Sequence, residues 1–394
     1  MSNPSLSLPR PSFAAICLAG LIALAIAMGI GRFAFTPMLP LMIRAGSADV
    51  AAGGWLAAAN YAGYLLGALT TARLPLTPQR VGLLALALIV ASTAAMGWTA
   101  SLPAWLLLRF VAGVASAWAL VSTSVWCLAW LSRFERPAGP GLLYAGVGTG
   151  IALAGLYCWR AGAADVAPDA LWLQLGALAL VGLAAVALLM PRGAPGASGV
   201  ASPATAAGGD AATAGGVSWG LVISYGLLGF GYILPATFLP VLARAVVDDP
   251  AVFGAAWPVF GAAAAVSTLF ASLALSKMAR RHVLAGSHAL MALGCLLPVL
   301  HLSALTVLLA ALLVGGTFMV ATMAGMQEAR ARSLGDPTRA LGRMTAAFAI
   351  GQMAGPMLSS LLSGSAQGFG GLFVALAIGA LALAGSAWWL ARAA

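Results

Sequence analysis

About twelve stretches of this chain are apolar for long enough to cross a bilayer: roughly 13–43, 52–73, 81–100, 104–131, 139–160, 170–190, 217–243, 251–276, 283–301, 303–327, 340–363 and 370–391. A hydrocarbon core needs roughly 20 apolar residues in helical form. Inside lipid every backbone N–H and C=O must find its partner within the protein, which leaves helices or a closed barrel. A barrel would alternate polar and apolar positions, and that alternation is missing here. Charged residues make up 7% of the chain and hydrophobic ones 62%, against roughly 25% charge in a soluble domain. The expected fold is all-α and integral to a membrane, with twelve transmembrane helices.

The chain also repeats itself. Gly29-Ile30-Gly31 followed by Leu39-Pro40 returns as Gly229-Phe230-Gly231 followed by Leu239-Pro240. Trp55 and Trp257, Gly113 and Gly315, and Gly150 and Gly351 continue the echo at offsets of 202, 202 and 201. With 48 glycines in the chain a single match means little, but their order and near-constant spacing point to two similar halves. Between them, residues 191–216 read PRGAPGASGVASPATAAGGDAATAGG, a composition expected of a flexible linker. Three units follow: 1–190 and 217–394 with six helices each, joined by a linker at 191–216. Six is even, so both halves enter from the same side and the repeat is parallel. Such repeats place a solute site at the seam between halves.

Charge fixes the orientation. With both termini in the cytoplasm, Arg10, Arg73, Arg80, Arg133, Arg136, Arg192, Lys277, Arg280, Arg281, Arg330, Arg332, Arg339, Arg343 and Arg392 lie inside, and only Arg44, Arg160 and Arg244 lie outside. That asymmetry is the positive-inside pattern, and it accounts for the net charge of +10 without nucleic acid as a partner. Eighteen arginines beside one lysine, and abundant alanine, suggest a GC-rich bacterial genome and its inner membrane. The first run is read as a retained span, being longer than a signal peptide and lacking the basic cluster and cleavage site. Cys17, Cys127, Cys158 and Cys295 lie in or at the ends of apolar runs with no metal-type spacing and are read as small buried hydrophobes.

Several motifs resemble the major facilitator superfamily (MFS). Arg109-Phe-Val-Ala-Gly113 is similar to its Arg-x-x-x-Gly motif. Gly146, Gly148, Gly150 and Gly155 are similar to its glycine-rich fifth helix, with Gly351-Gln352-Met-Ala-Gly355-Pro356 as the second-half counterpart. GIGRFAFTPMLPLM, AAANYAGYLLGAL, LLLRFVAGVASA and LLYAGVGTGIALAG resemble its bacterial YbfB/YjiJ-like branch. The resemblance covers the chain apart from the linker. It implies two six-helix bundles related by a pseudo-twofold along the membrane normal and secondary transport by alternating access. It also implies a role for Arg109 in proton coupling or in packing at the cavity. One departure stands out: the stretch Gly67 to Arg80 keeps its arginines but lacks the Asp usual there, and so does Lys277-Met-Ala-Arg280-Arg281. Glu135 or Glu328 is the carboxylate left to make the equivalent latch.

Arg32 is the sharpest single signal. A cation within a membrane helix costs at least about 2.5–3.5 kcal/mol on insertion scales, so it faces a cavity or a partner. It is either a substrate-facing cation for a carboxylate or other anion, or a side chain that snorkels outward or bonds a carbonyl freed by Pro37. Its repeat mate is Tyr232, at an offset of 200, and the two are expected to face each other across a central cavity. One Arg and one Tyr favour a monoanion over a doubly charged phosphate. Arg109 is either a cavity residue or a structural donor to a helix carbonyl. Asn60 and Tyr64 share a helix face at i, i+4, with Tyr61 pointing elsewhere. Tyr144 and Gln352 complete the substrate-binding candidates, each alternatively a hydrogen-bonding tie between helices. Gly29, Gly31, Gly113, Gly146, Gly148, Gly150, Gly229, Gly231, Gly351, Gly355 and Pro356 are assigned to packing and conformational change. His288, with His282 and His301 near the ends of its run, is expected at a lipid or helix interface.

None of the nine acidic residues falls in the middle of a run, which leaves coupling to another group, to a terminal acid such as Glu328, or to uniport. A membrane-embedded enzyme would need an acid–base pair, metal ligands or an activated nucleophile at reachable depth. Those are absent from the runs, so no enzyme activity, no metal and no cofactor are expected. The expected partners are a small organic solute, protons as candidate coupling ion, and the lipid bilayer, around a monomer. A neutral or drug-like effluxed solute is the alternative, favoured if Trp118, Trp126, Tyr64 and Trp257 line the cavity.

Overall fold

The computed structural model describes residues 12–191, 217–244, 246, 250–333, 336–363 and 370–392. The expected linker from 192 onward, together with Arg10, Arg192, Asp210, Asp248 and Asp249, lies outside the described residues. All twelve apolar runs lie on helices. The first is composite: α1 (Phe13–Leu24), a π-helical segment (Ala25–Phe33) and α2 (Phe35–Arg44). Then come α3 (Val50–Thr70), α4 (Pro78–Met96), α5 (Leu102–Leu131), α6 (Ala138–Ala163) and α7 (Pro168–Leu189). Beyond the linker are α8 (Trp219–Arg244), α9 (Pro250–Ala274), α10 (Arg280–Leu300), α11 (Ala304–Ala331), α12 (Pro337–Ser363) and α13 (Gly370–Arg392).

The helix starts follow from local chemistry. Asp49 caps α3 by accepting from Ala52 N at 2.7 Å, and Thr77 caps α4 just before Pro78. Prolines also sit in the first turns of α5 and α7, where the missing N–H has no intrahelical partner to lose. Ser303 and Thr306 form a reciprocal capping box at the start of α11.

Ten helical stretches among the described residues are long and apolar enough to cross a membrane. The stretches α3 and α12 are not among them. Both carry polar side chains that the protein itself buries: Asn60 and Tyr64 on α3, Thr345 and Gln352 on α12, each 1% exposed. A helix enclosed by other helices needs no apolar face toward lipid. Large apolar side chains such as Leu188 on α7 and Leu381 on α13 are instead 81% and 74% exposed, as expected of a lipid-facing surface.

Helices α1–α7 pack among themselves, as do α8–α13, and the two sets meet mainly along α6 against α9 and α3 against α12. Helix α6 uses its glycines on two faces. Gly146 and Gly150, one turn apart, abut the backbone of Leu21 and Ala25 in the first run. Gly141, Gly148 and Gly155, spaced by seven, abut Ser272, Gly261 with Ala265, and Trp257 with Pro258 on α9. A Cβ on Gly148 would overlap the α9 backbone, so only glycine allows this approach between the sets.

The repeat reappears as equivalent contacts. Gly150 of α6 abuts Ala25, and Gly351 of α12 abuts Gly226 of α8, each partner displaced by 201 positions. Gly113 of α5 lies against Asn60 of α3, and Gly315 of α11 lies against Phe260 of α9. The first run departs from its counterpart in one respect. Helix α8 is continuous over Trp219–Arg244, whereas Ala25–Phe33 winds as a π-helix, a rare form frequent at functional sites.

Candidate functional site

The π-helical segment ends at Arg32 and Phe33, just before Pro37. Proline has no N–H, so a carbonyl one turn earlier loses its helical donor. Arg109 of α5 donates to the two carbonyls just before that one: its Nη1 to Gly31 O at 3.2 Å and its Nη2 to Arg32 O at 3.1 Å. Its guanidinium also lies 4.7 Å from the centroid of the Phe35 ring. Ser116 Oγ adds a bond to Ala27 O at 2.8 Å. Helix α5 therefore holds the irregular turn, and Arg109 does what the sequence analysis gave as its structural alternative.

The side chain of Arg32 is thereby released toward the meeting of the two helix sets. It is 3% exposed. Its guanidinium lies over the Tyr64 ring at 3.8 Å from the centroid, with Tyr61 at 5.4 Å and Phe33 at 5.5 Å. A desolvated cation over an aromatic face gains about 2 kcal/mol. Arg32 Nη2 donates to Gln352 Oε1 of α12, which joins the two sets at the site. Arg32 Nε and Nη1 and Gln352 Nε2 have no hydrogen-bond partner. No carboxylate among the described residues pairs with Arg32 or Arg109.

Tyr232 of α8 is fully buried, and its hydroxyl has no partner. It and Tyr64 line one small central cavity of about 20 Å³, with Met28, Phe33, Phe318 and Phe348. The Tyr232 hydroxyl makes no hydrogen bond to Arg32; Tyr232 and Tyr64, whose ring carries the guanidinium, both line the cavity. Such a space holds about one water, so an organic solute enters only as side chains or helices move.

Aromatic rings continue outward from the cavity. Phe33 is 6.3 Å from Trp257. Trp257 stacks on Phe260 at 5.4 Å, Phe260 on Phe318 at 5.4 Å, and Phe318 on Tyr232 at 4.8 Å. Tyr232 then meets Phe348 at 6.0 Å.

A larger cavity of about 980 Å³ lies at the end of the molecule that carries the α5–α6, α9–α10 and α11–α12 connections. Both helix sets line it, and among the described residues Arg136, Lys277, Arg280 and Arg330 stand against one carboxylate, Glu135. Helix α11 passes between the two spaces: Met323 and Ala324 line the outer one, Met319, Thr322 and Met326 the central one. Glu328 accepts from Arg332 Nε at 2.5 Å and lies 3.9 Å from Arg280. This carboxylate therefore holds the basic connection after α9 to the end of α11.

The remaining candidates divide. Gln352, Tyr64 and Tyr232 gather around Arg32 and the cavity. Asn60 does not join them; its Nδ2 donates to Arg109 O at 2.9 Å and ties α3 to α5. Tyr144 bonds Ser124 Oγ at 2.9 Å and ties α6 to α5. Trp118 bonds Thr70. His288 is fully buried and its Nδ1 lies 2.9 Å from Ser386 Oγ, between α10 and α13.

Tyr61 was expected to point elsewhere, yet it flanks Arg32. It lies three residues before Tyr64, a same-face spacing that the pairing with Asn60 obscured. Phe33, Phe318 and Phe348 had no sequence signal beyond apolar runs.

The family profile described as "Uncharacterised MFS-type transporter YbfB" matches residues 24–389. No functionally curated protein matches the sequence significantly. Among solved structures, the crystal structure of the human organic anion transporter MFSD10 (TETRAN) is similar with a TM-score of 0.69. The alignment covers 97% of this chain and 100% of that one at 14% identity, and a likeness that remote speaks for the fold alone.

Proposed function

The chain belongs to the MFS-type transporter family described by YbfB, and on that premise we propose that it is a secondary transporter moving a small organic monoanion by alternating access. The observation that carries the reading is Arg32: a buried cation at the junction of the two helix sets, with unused donors and no carboxylate paired with it among the described residues. An uncompensated buried charge is costly; an anionic solute removes that cost each time it binds.

In this reading residues 1–190 and 217–394 are two six-helix bundles on a pseudo-twofold along the membrane normal, joined by the linker 191–216. All twelve helices span a bacterial inner membrane, both termini are cytoplasmic, and the protein acts as a monomer. The basic cavity of about 980 Å³ is the cytoplasmic vestibule. The glycine contacts of α6 with α9 support the rocking of one bundle on the other, because small residues let backbones slide past closely.

Flux of labelled organic anions into proteoliposomes tests the proposal, with and without an imposed pH gradient to separate proton coupling from uniport. Full activity in both Arg32→Ala and Arg32→Lys removes Arg32 from the site. A second reading, efflux of a neutral aromatic solute, is favoured by the ring series considered alone, but it leaves the Arg32 charge unanswered.

A further inference from the structure

We infer that the solute is an aromatic monocarboxylate, with its carboxylate held by Arg32 and Gln352 and its ring received by the stacked rings that run from Trp257 to Tyr232. The inference rests on the reading of Arg32 as the anion site and adds the part of the molecule that is not charged.

The charged end follows from counting donors and charges. Five buried donor groups around the junction have no acceptor: Arg32 Nε and Nη1, Gln352 Nε2, Trp257 Nε1 and Tyr232 Oη. Leaving such groups unsatisfied costs about 1–3 kcal/mol each. A carboxylate is acceptor-only and offers about four lone-pair sites, and its planar shape suits a guanidinium. Arg109 keeps its charge, but its guanidinium is turned to the backbone, both terminal nitrogens donating to Gly31 O and Arg32 O, which leaves Arg32 as the cation presented to a solute. One available cation matches one negative charge.

The uncharged end follows from the rings. Trp257, Phe260, Phe318 and Tyr232 stack with interplanar angles of 5°, 19° and 23°. Neighbouring centroids 4.8–5.4 Å apart leave no gap between these rings, so a solute ring joins the series at an edge or end face, where it gains offset or edge-to-face contact that a puckered aliphatic ring does not. The series comes within reach of the guanidinium at Phe33, which neighbours both Arg32 and Trp257. Met28, Met319 and Met326 line the same cavity. Their unbranched thioethers can shift to open a space that is small when empty, and they favour aromatic contacts.

Four probes of similar size separate the elements: benzoate, cyclohexanecarboxylate, benzamide and phthalate. Binding is read as the thermal shift of the purified full chain, and transport as flux in proteoliposomes. Benzoate is expected to stabilise and to be transported. Cyclohexanecarboxylate, which lacks a π face, is expected to bind about 10-fold more weakly. Benzamide, which lacks the charge, and phthalate, which carries one charge too many, are each expected to bind about 100-fold more weakly. In Phe318→Leu the preference for benzoate over cyclohexanecarboxylate is expected to fall to about 3-fold or less, a change of ratio that a uniform loss of binding would not produce. That last readout distinguishes a lost ring contact from a damaged fold.

Equal binding of benzoate and cyclohexanecarboxylate overturns the aromatic inference and leaves the anion reading standing. Equal binding of benzoate and benzamide overturns the anion reading itself. Phthalate binding as tightly as benzoate contradicts the single charge, and no binding of any probe overturns the inference.

Discussion

Arg109 on α5 donates from Nη2 to the backbone carbonyl of Arg32 at 3.1 Å, and from Nη1 to that of Gly31 at 3.2 Å. Two arginines buried close together thus have different tasks. One satisfies the carbonyls of a π-helical turn. The other, positioned by that turn, offers its guanidinium to the interior.

Arg109→Ala leaves two buried carbonyls without donors, each worth about 1–3 kcal/mol. The expected result is a lower melting temperature in detergent together with weaker solute binding, as the Arg32 turn relaxes. Arg109→Lys keeps a charge but presents a compact ammonium instead of a fork, so its losses are expected to be smaller. Melting curves and ligand titrations of the two variants check this. An Arg109→Ala protein as stable as the wild type would detach Arg109 from the turn.

Gln352→Glu tests the missing counter-ion. It places a carboxylate where Arg32 Nη2 now meets an amide oxygen. Supplying an opposite charge to a buried cation is expected to raise the melting temperature of the ligand-free protein. It is also expected to reduce monoanion affinity by about 100-fold. Stability and function should move in opposite directions, as damage to the fold would not produce. Unchanged anion affinity in this variant would mean that the solute does not use Arg32.

Tyr232→Phe removes a hydroxyl that is fully buried and makes no hydrogen bond. Its ring packing on Phe318 and Phe348 is retained. The melting temperature is expected to hold or rise, since an unsatisfied polar group is lost, while solute affinity falls by about 3- to 10-fold. Isothermal titration beside a melting curve reads both effects. A loss of stability instead would show that the hydroxyl is structural.

The sequence made the membrane fold and the repeat legible, because apolar run length and glycine spacing are local signals. The glycines of α6 show where that reading coarsened. Gly146, Gly148 and Gly150 read as one series in the sequence, but alternate members face different helices, and helical phase alone does not name the neighbour. Arg32 was legible because charge is rare in an apolar run. Its partner Gln352 was found through the motif that surrounds it. The π-helical turn was not, since Pro37 announces a lost hydrogen bond but not how many residues before it rewind. The ring series was also hidden: its members come from α8, α9, α11 and α12, and only tertiary packing brings them together.

Gly148→Ala probes movement between the helix sets. Its added Cβ would overlap the α9 backbone near Gly261 and Ala265, so α6 and α9 must separate slightly. Flux is expected to fall several-fold while solute binding at Arg32 stays near the wild-type level, since Gly148 lies outside that site. Unimpaired flux in Gly148→Ala would show that the close approach is not needed for transport.

The most direct measurement of the central claim is benzoate counterflow in proteoliposomes carrying the wild type, Arg32→Ala or Arg32→Lys. The account predicts accumulation by the wild type, partial activity in Arg32→Lys and none above empty liposomes in Arg32→Ala. Counterflow by Arg32→Ala at the wild-type rate would contradict it.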